Sequence, residues 1–127
     1  MVNVLIVDED AIFCHQIKEN LDQFYTIYIA HNCEDALATC HESKIELVFT
    51  TLNLPSNDLS NMISILRDKM PETRVIAISE QMSDELHISA MIRIAALGVN
   101  RILKHPVASQ ELHDAVDDEL GSVVAFS

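Results

Sequence analysis

Glycine is nearly missing from this chain of 127 residues: only Gly98 and Gly121 occur, where average usage of ~7% would supply about nine. A loop that cradles phosphates needs several glycines at fixed spacing beside a strand end. Neither GxGxxG nor a Walker A sequence can be written with these two, which excludes dinucleotide and P-loop chemistry. Basic side chains are also scarce, 8 Lys and Arg against 20 Asp and Glu, for a formal net charge of −12. Phosphate backbones are bound by clustered Lys and Arg, and anionic membranes attract polybasic segments. Neither nucleic acid nor a membrane is therefore an expected partner, whereas a cation or a basic partner is compatible. The three cysteines, Cys14, Cys33 and Cys40, are an odd set without disulfide-like spacing, which suits a reducing compartment. No secretory leader precedes the apolar run that starts at Val2, and no run approaches the ~18 residues of a membrane span. A soluble, cytoplasmic domain is expected.

What is abundant is apolar surface. Hydrophobic residues make up 49% of the chain, ample for one core in one domain of common size. Residues 1–120 are expected to form that domain. Residues 121–127, opened by Gly121, read as a tail or the start of a linker to an absent output domain. Val2 to Val7 is an almost unbroken apolar run, as in a strand covered on both faces. Helical spacing follows at Phe13, Ile17, Leu21 and Phe24. Tyr25 to Ala30 reads as a second strand, and Asn32 as the cap of a helix facing inward with Ala36, Leu37 and Cys40. Ile45 to Thr51 is a third strand, followed by a helix from about Asp58 to Met70. Val75 to Ile78 and Val99 to Leu103 are further strands. Between them a helix covers Ser83 to Leu97, with Gly98 at its C-terminal stop. A last helix follows Pro106. Strands alternating with helices imply a parallel sheet wrapped on both faces, whose sites lie beyond the carboxyl ends of the strands. That rule points to Asp8-Glu9-Asp10, Thr50-Thr51, Ser79 and Lys104-His105.

Three consecutive acids repel one another unless a cation, a proton or a basic group offsets the cost. Asp8, Glu9 and Asp10 thus fit a hard-cation site of the Mg²⁺ type, or else they cap the next helix at its positive end. Both readings stand at this point. Cys14-His15, His31-Cys33 and Cys40-His41 lack CxxC or HxxxH spacing, so zinc is not expected, and Cys14 and Cys40 suit a core.

Val4-Leu5-Ile6-Val7-Asp8-Glu9-Asp10 resembles the opening of a response-regulator receiver domain. So do Ala30-His31-Asn32-Cys33-Glu34-Asp35-Ala36-Leu37, Leu52-Asn53-Leu54-Pro55 with Asp58 after it, and Lys104-His105-Pro106. The four stretches come in the family's order over essentially the whole chain. The resemblance implies a flavodoxin-like α/β fold, a doubly wound parallel sheet of order 2-1-3-4-5 with five helices. It also implies a phosphoacceptor aspartate after the third strand, with Mg²⁺ held by that aspartate and the first acidic pair. A hydroxyl after the fourth strand and a lysine after the fifth would contact the phosphoryl group.

Carried over position by position, the pattern is broken. The acidic pair falls on Asp8 and Glu9, leaving a weak or vestigial Mg²⁺ site, and the hydroxyl falls on Ser79. The acceptor lies four residues before the family's proline, so Pro55 places it at Thr51. A threonine forms no acyl phosphate. Neighbouring Thr50 and Asn53 supply no acid, Glu46 lies at the wrong end of the strand, and Asp58 falls beyond the proline. A strand-end threonine in a cleft is also a poor kinase substrate. His105 replaces the lysine, and Lys104, one residue early, is expected on the other face. Ile102 stands where an aromatic switch residue is usual. Aspartyl phosphorylation needs a carboxylate nucleophile, a metal and a cation. The expectation is therefore a pseudo-receiver, not an enzyme, with no required cofactor. The resemblance also allows a cis His105-Pro106 bond.

The fourth helix is apolar over more than one face. Ile88, Met91 and Ile92 exceed what packing on a sheet requires, and receiver domains commonly dimerise through this helix, the fifth strand and the fifth helix. Arg93, Arg101 and Lys104 face the acidic run Asp114, Asp117, Asp118, so these charges are expected to pair across a two-fold axis or with a protein partner. Two alternatives remain. One is a receiver-fold Mg²⁺-binding or pH-sensing module, with His105 titrating beside the acids. The other is a small haloacid-dehalogenase-like phosphatase using Asp8 and Asp10, with Thr50 or Thr51 as its second motif.

Overall fold

The computed structural model describes residues 2–52, 54, 56–79 and 84–124. Strands and helices alternate throughout: β1 (Asn3–Val7), α1 (Ala11–Leu21), β2 (Thr26–Ala30), α2 (Cys33–Glu42), β3 (Leu47–Thr51), α3 (Ser56–Lys69), β4 (Arg74–Ser79), α4 (Asp84–Leu97), β5 (Arg101–Lys104) and α5 (Ser109–Val124). The five strands form one sheet in the order β2-β1-β3-β4-β5, parallel at every pairing. This is the flavodoxin-like α/β fold expected from the sequence.

Side chains alternate across each strand and divide the core into two layers. Leu5, Val7, Val48, Val75 and Ala77 pack with Ala36 and Cys40 of α2, Met62, Ile63 and Leu66 of α3, and Ile94 of α4. Val4, Ile6, Leu47, Phe49, Ile76, Ile78 and Leu103 pack with Cys14, Ile17 and Leu21 of α1 and Leu112, Ala115, Val116 and Leu120 of α5. Central β3 is buried along its whole length, which is why its sequence reads as a β-rich run without polar alternation.

Two caps fix the helices that follow β1 and β2. Asp10 Oδ1 accepts from the Ile12 and Phe13 amides at 2.9 and 3.2 Å, and Asn32 Oδ1 accepts from the Asp35 amide at 2.7 Å. Each such cap is worth about 1 kcal/mol. At the other end of α4, Gly98 adopts φ +102°, and a Cβ there would stand 2.8 Å from Arg67 Cδ. The same Arg67 donates to the carbonyls of Pro71 and Thr73, so α3, α4 and the start of β4 are fastened together at that corner.

One sequence expectation needs correction, and the packing adds detail elsewhere. Phe24 continues the apolar spacing of α1, but the helix ends at Leu21, where the Asp22 amide bonds the Lys18 carbonyl. Phe24 lies outside, 59% exposed, with its ring against Tyr25 and His113. In α3, Leu66 is buried and Ile65 is not. Ala115 and Val116 are both buried, because α5 offers a broad apolar face. Helix α5 runs through Gly121 to Val124, and residues 125–127 lie outside those described.

Candidate functional site

The sheet brings four of the expected residues to its carboxyl end. Val7 pairs with Thr50, Thr51 with Ile78, and Ser79 with Lys104, so the ends of β1, β3, β4 and β5 are adjacent. By alternation, Thr51 follows Phe49 onto the side covered by α1 and α5. Asp8 follows Ile6 and His105 follows Leu103 onto the same side. Asp8, Thr50, Thr51 and Ser79 are all buried, and Glu9 is exposed. Asn53 and Pro55, from which the acceptor position is counted, lie outside the described residues.

Asp8 is fastened from several directions. Its amide donates to the Ala30 carbonyl at 3.1 Å, and its Oδ1 accepts from the Asp10 amide at 3.0 Å. Its carbonyl accepts from His31 Nδ1 at 2.9 Å and from the Cys14 thiol at 3.6 Å. A carbonyl can only accept, so the His31 proton is placed on Nδ1. These two contacts were not anticipated. The only sequence signal for them was that His31 follows β2 directly, at the same end of the sheet. Asp10, needed as the second acid by a haloacid-dehalogenase-type phosphatase, is instead the N-cap of α1.

Ser79 also departs from expectation. Its hydroxyl donates to the Leu103 carbonyl at 3.4 Å, bracing β4 against β5, since Ser79 alternates with Ala77 onto the α2–α3–α4 side. His105 is half-buried, and its amide donates to the Ser79 carbonyl at 2.8 Å. Its ring lies 5.8 Å from that of Phe13, beside a cavity of about 170 Å³ that Ile17, Pro106 and Leu112 also line. The His105–Pro106 bond is cis. Lys104 is exposed and follows Ile102 onto the α4 side, as alternation predicts.

All three cysteines are buried and free. Burial, reinforced by the Asp8 and Asp10 carboxylates, pushes the Cys14 thiol up to about 11. Burial and then Asp58 do the same for Cys33, and burial alone for Cys40, each to about 11. Thiols held protonated are poor metal ligands and poor nucleophiles. Among the described residues no group of three His, Cys, Asp or Glu side chains could hold a metal ion. The side chains at the ends of β1 and β3 are buried Asp8, exposed Glu9 and the buried hydroxyl of Thr51.

The α4–β5–α5 face is assembled only in part. Ile88 and Ile92 are 55% and 68% exposed, one turn apart on the side of α4 away from buried Ile94. Met91 is half-buried, and Arg93 and Lys104 are exposed. The acids do not wait for a second molecule. Arg101 pairs within the chain, to Asp118 at 3.2 Å and Glu119 at 3.9 Å. Asp114 accepts from Gln110. Asp117 bonds Tyr25 and, after burial, is what raises the Tyr25 phenol above its ordinary value.

A model of the response regulator receiver domain family matches residues 4–117, and the chain belongs to that family. Receiver domains serve two-component signalling and are generally signalling modules rather than enzymes. Among curated proteins no relative matches. Solved structures share the fold at low identity. A CheY-like receiver domain protein from Methanospirillum hungatei JF-1 is 20% identical, with a TM-score of 0.84 over 96% of this chain and 95% of that one. A two-component response regulator from Clostridium difficile is 21% identical, with a TM-score of 0.81 over 98% and 99%. A response regulator from Thermotoga maritima is 23% identical, with a TM-score of 0.81 over 95% and 98%. Among the described residues no helix is long and apolar enough to cross a membrane.

Proposed function

We propose that this receiver domain is a pseudo-receiver, which signals through protein–protein contact and takes no phosphoryl group on aspartate. The observation that carries the reading is Thr51. It ends β3 beside Asp8 and is buried on the same side of the sheet, where an acceptor carboxylate is required. A neutral hydroxyl supplies neither the nucleophile nor the third charge of a cation site. His105 sets its ring at a tilt against that of Phe13, at the position of the lysine that would meet the transferred group. Mg²⁺ binding through Asp8 and Glu9 is proposed to be weak and without chemical consequence.

The contact surface in this proposal is the exposed apolar strip of α4 with Arg93 and Lys104 at its border. It serves a protein partner or a second copy. Treatment of the intact chain with acetyl phosphate or phosphoramidate and Mg²⁺ tests the phosphoryl half of the proposal. The expected intact mass is unchanged, and a phosphate adduct of either acid-stable or acid-labile kind overturns it.

A further inference from the structure

A cavity of about 530 Å³ lies at the amino end of the sheet, opposite Thr51, between the α2–β3 and α3–β4 loops. Small-molecule sites commonly enclose about 300–1,000 Å³. Part of its lining is apolar, from buried Cys40 and Ile45 and half-buried Met70. The charged part is mixed, Lys44 and Lys69 with Glu46 and Glu72. These four charges do not neutralise one another. Among the described residues the ion pairs are those of His15 and Arg101, and none includes a charge of this cavity.

The walls are tied together by the chain itself. Asn3 Nδ2 donates to the Lys44 carbonyl at 2.8 Å, and the Glu46 amide donates to the Asn3 carbonyl at 3.0 Å. Thr73 Oγ1 donates to the Ile45 carbonyl at 3.0 Å and so joins the two loops. The Thr73 amide closes the α3–β4 turn on the Met70 carbonyl at 3.1 Å, and Arg67 holds the same turn through the Pro71 and Thr73 carbonyls. A cavity built in this way spends little binding energy on ordering its own walls.

A ligand of one sign would be repelled by half of the charged lining, whereas a ligand bearing both signs can set each of its charges against an opposite one. We propose that the cavity binds a small zwitterion with an apolar side chain, an α-amino acid or a short peptide. Lys44 and Lys69 take its carboxylate, Glu46 and Glu72 its ammonium, and Cys40, Ile45 and Met70 its side chain. Glu46 gives Oε2 to the Asn3 amide at 2.6 Å, and its Oε1 is left to accept from the ammonium. Helices α2 and α3 both end at this cavity, where the last carbonyls and the negative ends of the helix dipoles favour the same ammonium. The site is remote from the phosphoryl pocket, and the proposal stands whether or not Thr51 has ended phosphoryl transfer.

NMR titration of the whole chain with leucine, phenylalanine and leucyl-phenylalanine tests the proposal. Saturable shifts are expected at the amides of Lys44, Met70 and Thr73, with a Kd of about 1 mM or below. The tightest of the three probes tells an amino acid from a peptide. Its N-acetyl form lacks the ammonium and its C-terminal amide lacks the carboxylate. Each is expected to bind about tenfold more weakly, because charge-assisted hydrogen bonds are the strong ones. Lys44→Gln combined with Lys69→Gln removes the advantage over the amide, and Glu72→Gln reduces the advantage over the N-acetyl form. All three positions are exposed, so the fold is kept. Ile92→Glu, on α4, leaves binding unchanged. The absence of a saturable shift at these amides up to about 10 mM overturns the proposal. Equal binding of the zwitterion and its neutralised forms, or a charge preference that survives the lysine variants, overturns it too.

Discussion

Asp8, Thr51 and Ser79 are polar and buried at the carboxyl end of the sheet, whereas Ile88 and Ile92 are apolar and exposed on α4. Each group is on the costly side of the solvent boundary, and the remedies differ. At the strand ends the remedy is internal. Ser79 bonds the β5 backbone, Asp8 accepts from the amide of Asp10, and the acid position of β3 is taken by a hydroxyl that needs no counter-charge. On α4 none of the described residues covers the isoleucines. A buried polar group that has found a partner is structure, and an exposed apolar group that has none is an invitation. That contrast is why the proposed contact surface is the α4 flank and not the strand ends.

Thr51→Asp puts the contrast between pocket and flank at greatest risk. If the pocket has become part of the core, an added carboxylate beside buried Asp8 is an uncompensated charge costing about 3–5 kcal/mol, on the order of 10 °C in Tm. Millimolar Mg²⁺ should then recover part of the loss, because a hard cation bound by the carboxylates offsets the added charge. Thermal unfolding with and without Mg²⁺ measures both. A variant as stable as wild type without the metal means that the pocket still neutralises a third acid, and the contrast fails.

The fold was legible because its signals are redundant. The central strands are buried on both faces and read as nearly continuous apolar runs, and five β-rich runs separated by helical spacing leave few topologies. Side-chain direction at strand ends was less legible. Ser79 counts to the hydroxyl position, yet its Oγ turns to Leu103, and only the packed strands decide that. Spacing also could not show where α1 stops. Phe24 obeys the period, but the helix is closed at Leu21 by the Asp22 amide. Charges were legible as signs and not as pairs. Arg101 and Asp118 were expected to meet across two molecules, and they meet within one because β5 and α5 already set them 3.2 Å apart. Asp10 serves as a cap for the same reason: the amides of Ile12 and Phe13 lie within reach of its Oδ1.

A smaller effect sharpens the claim that the buried polar groups are structural. Cys14, Cys33 and Cys40 are each raised from 9.0 to about 11. The folded state therefore holds protons that the unfolded state releases, and unfolding gains stability relative to folding as pH rises. The contribution is whole below pH 9 and is lost between about 9 and 11. Stability measured by urea unfolding should fall across that window, and Cys40→Ala should make the fall shallower. A flat profile would mean that the thiols ionise as freely in the folded chain as in water.

The smallest effect on stability, and the largest on association, is expected at Ile92→Glu. Residue 92 is 68% exposed and adds nothing to either core layer, so the substitution should move folding free energy by no more than about 0.5 kcal/mol. Its position in the strip Ile88-Ile92, one turn apart, sets it at the centre of what a partner would cover. A charge there must be desolvated on docking, at several times the cost of the lost apolar contact. Equal unfolding curves with weakened association would separate surface from core in one residue. Identical sedimentation of wild type and variant as monomers at every concentration, and identical capture of any receiver-binding protein, would show α4 to be merely a helix with a greasy exterior. The contrast with the pocket would then rest on Thr51 alone.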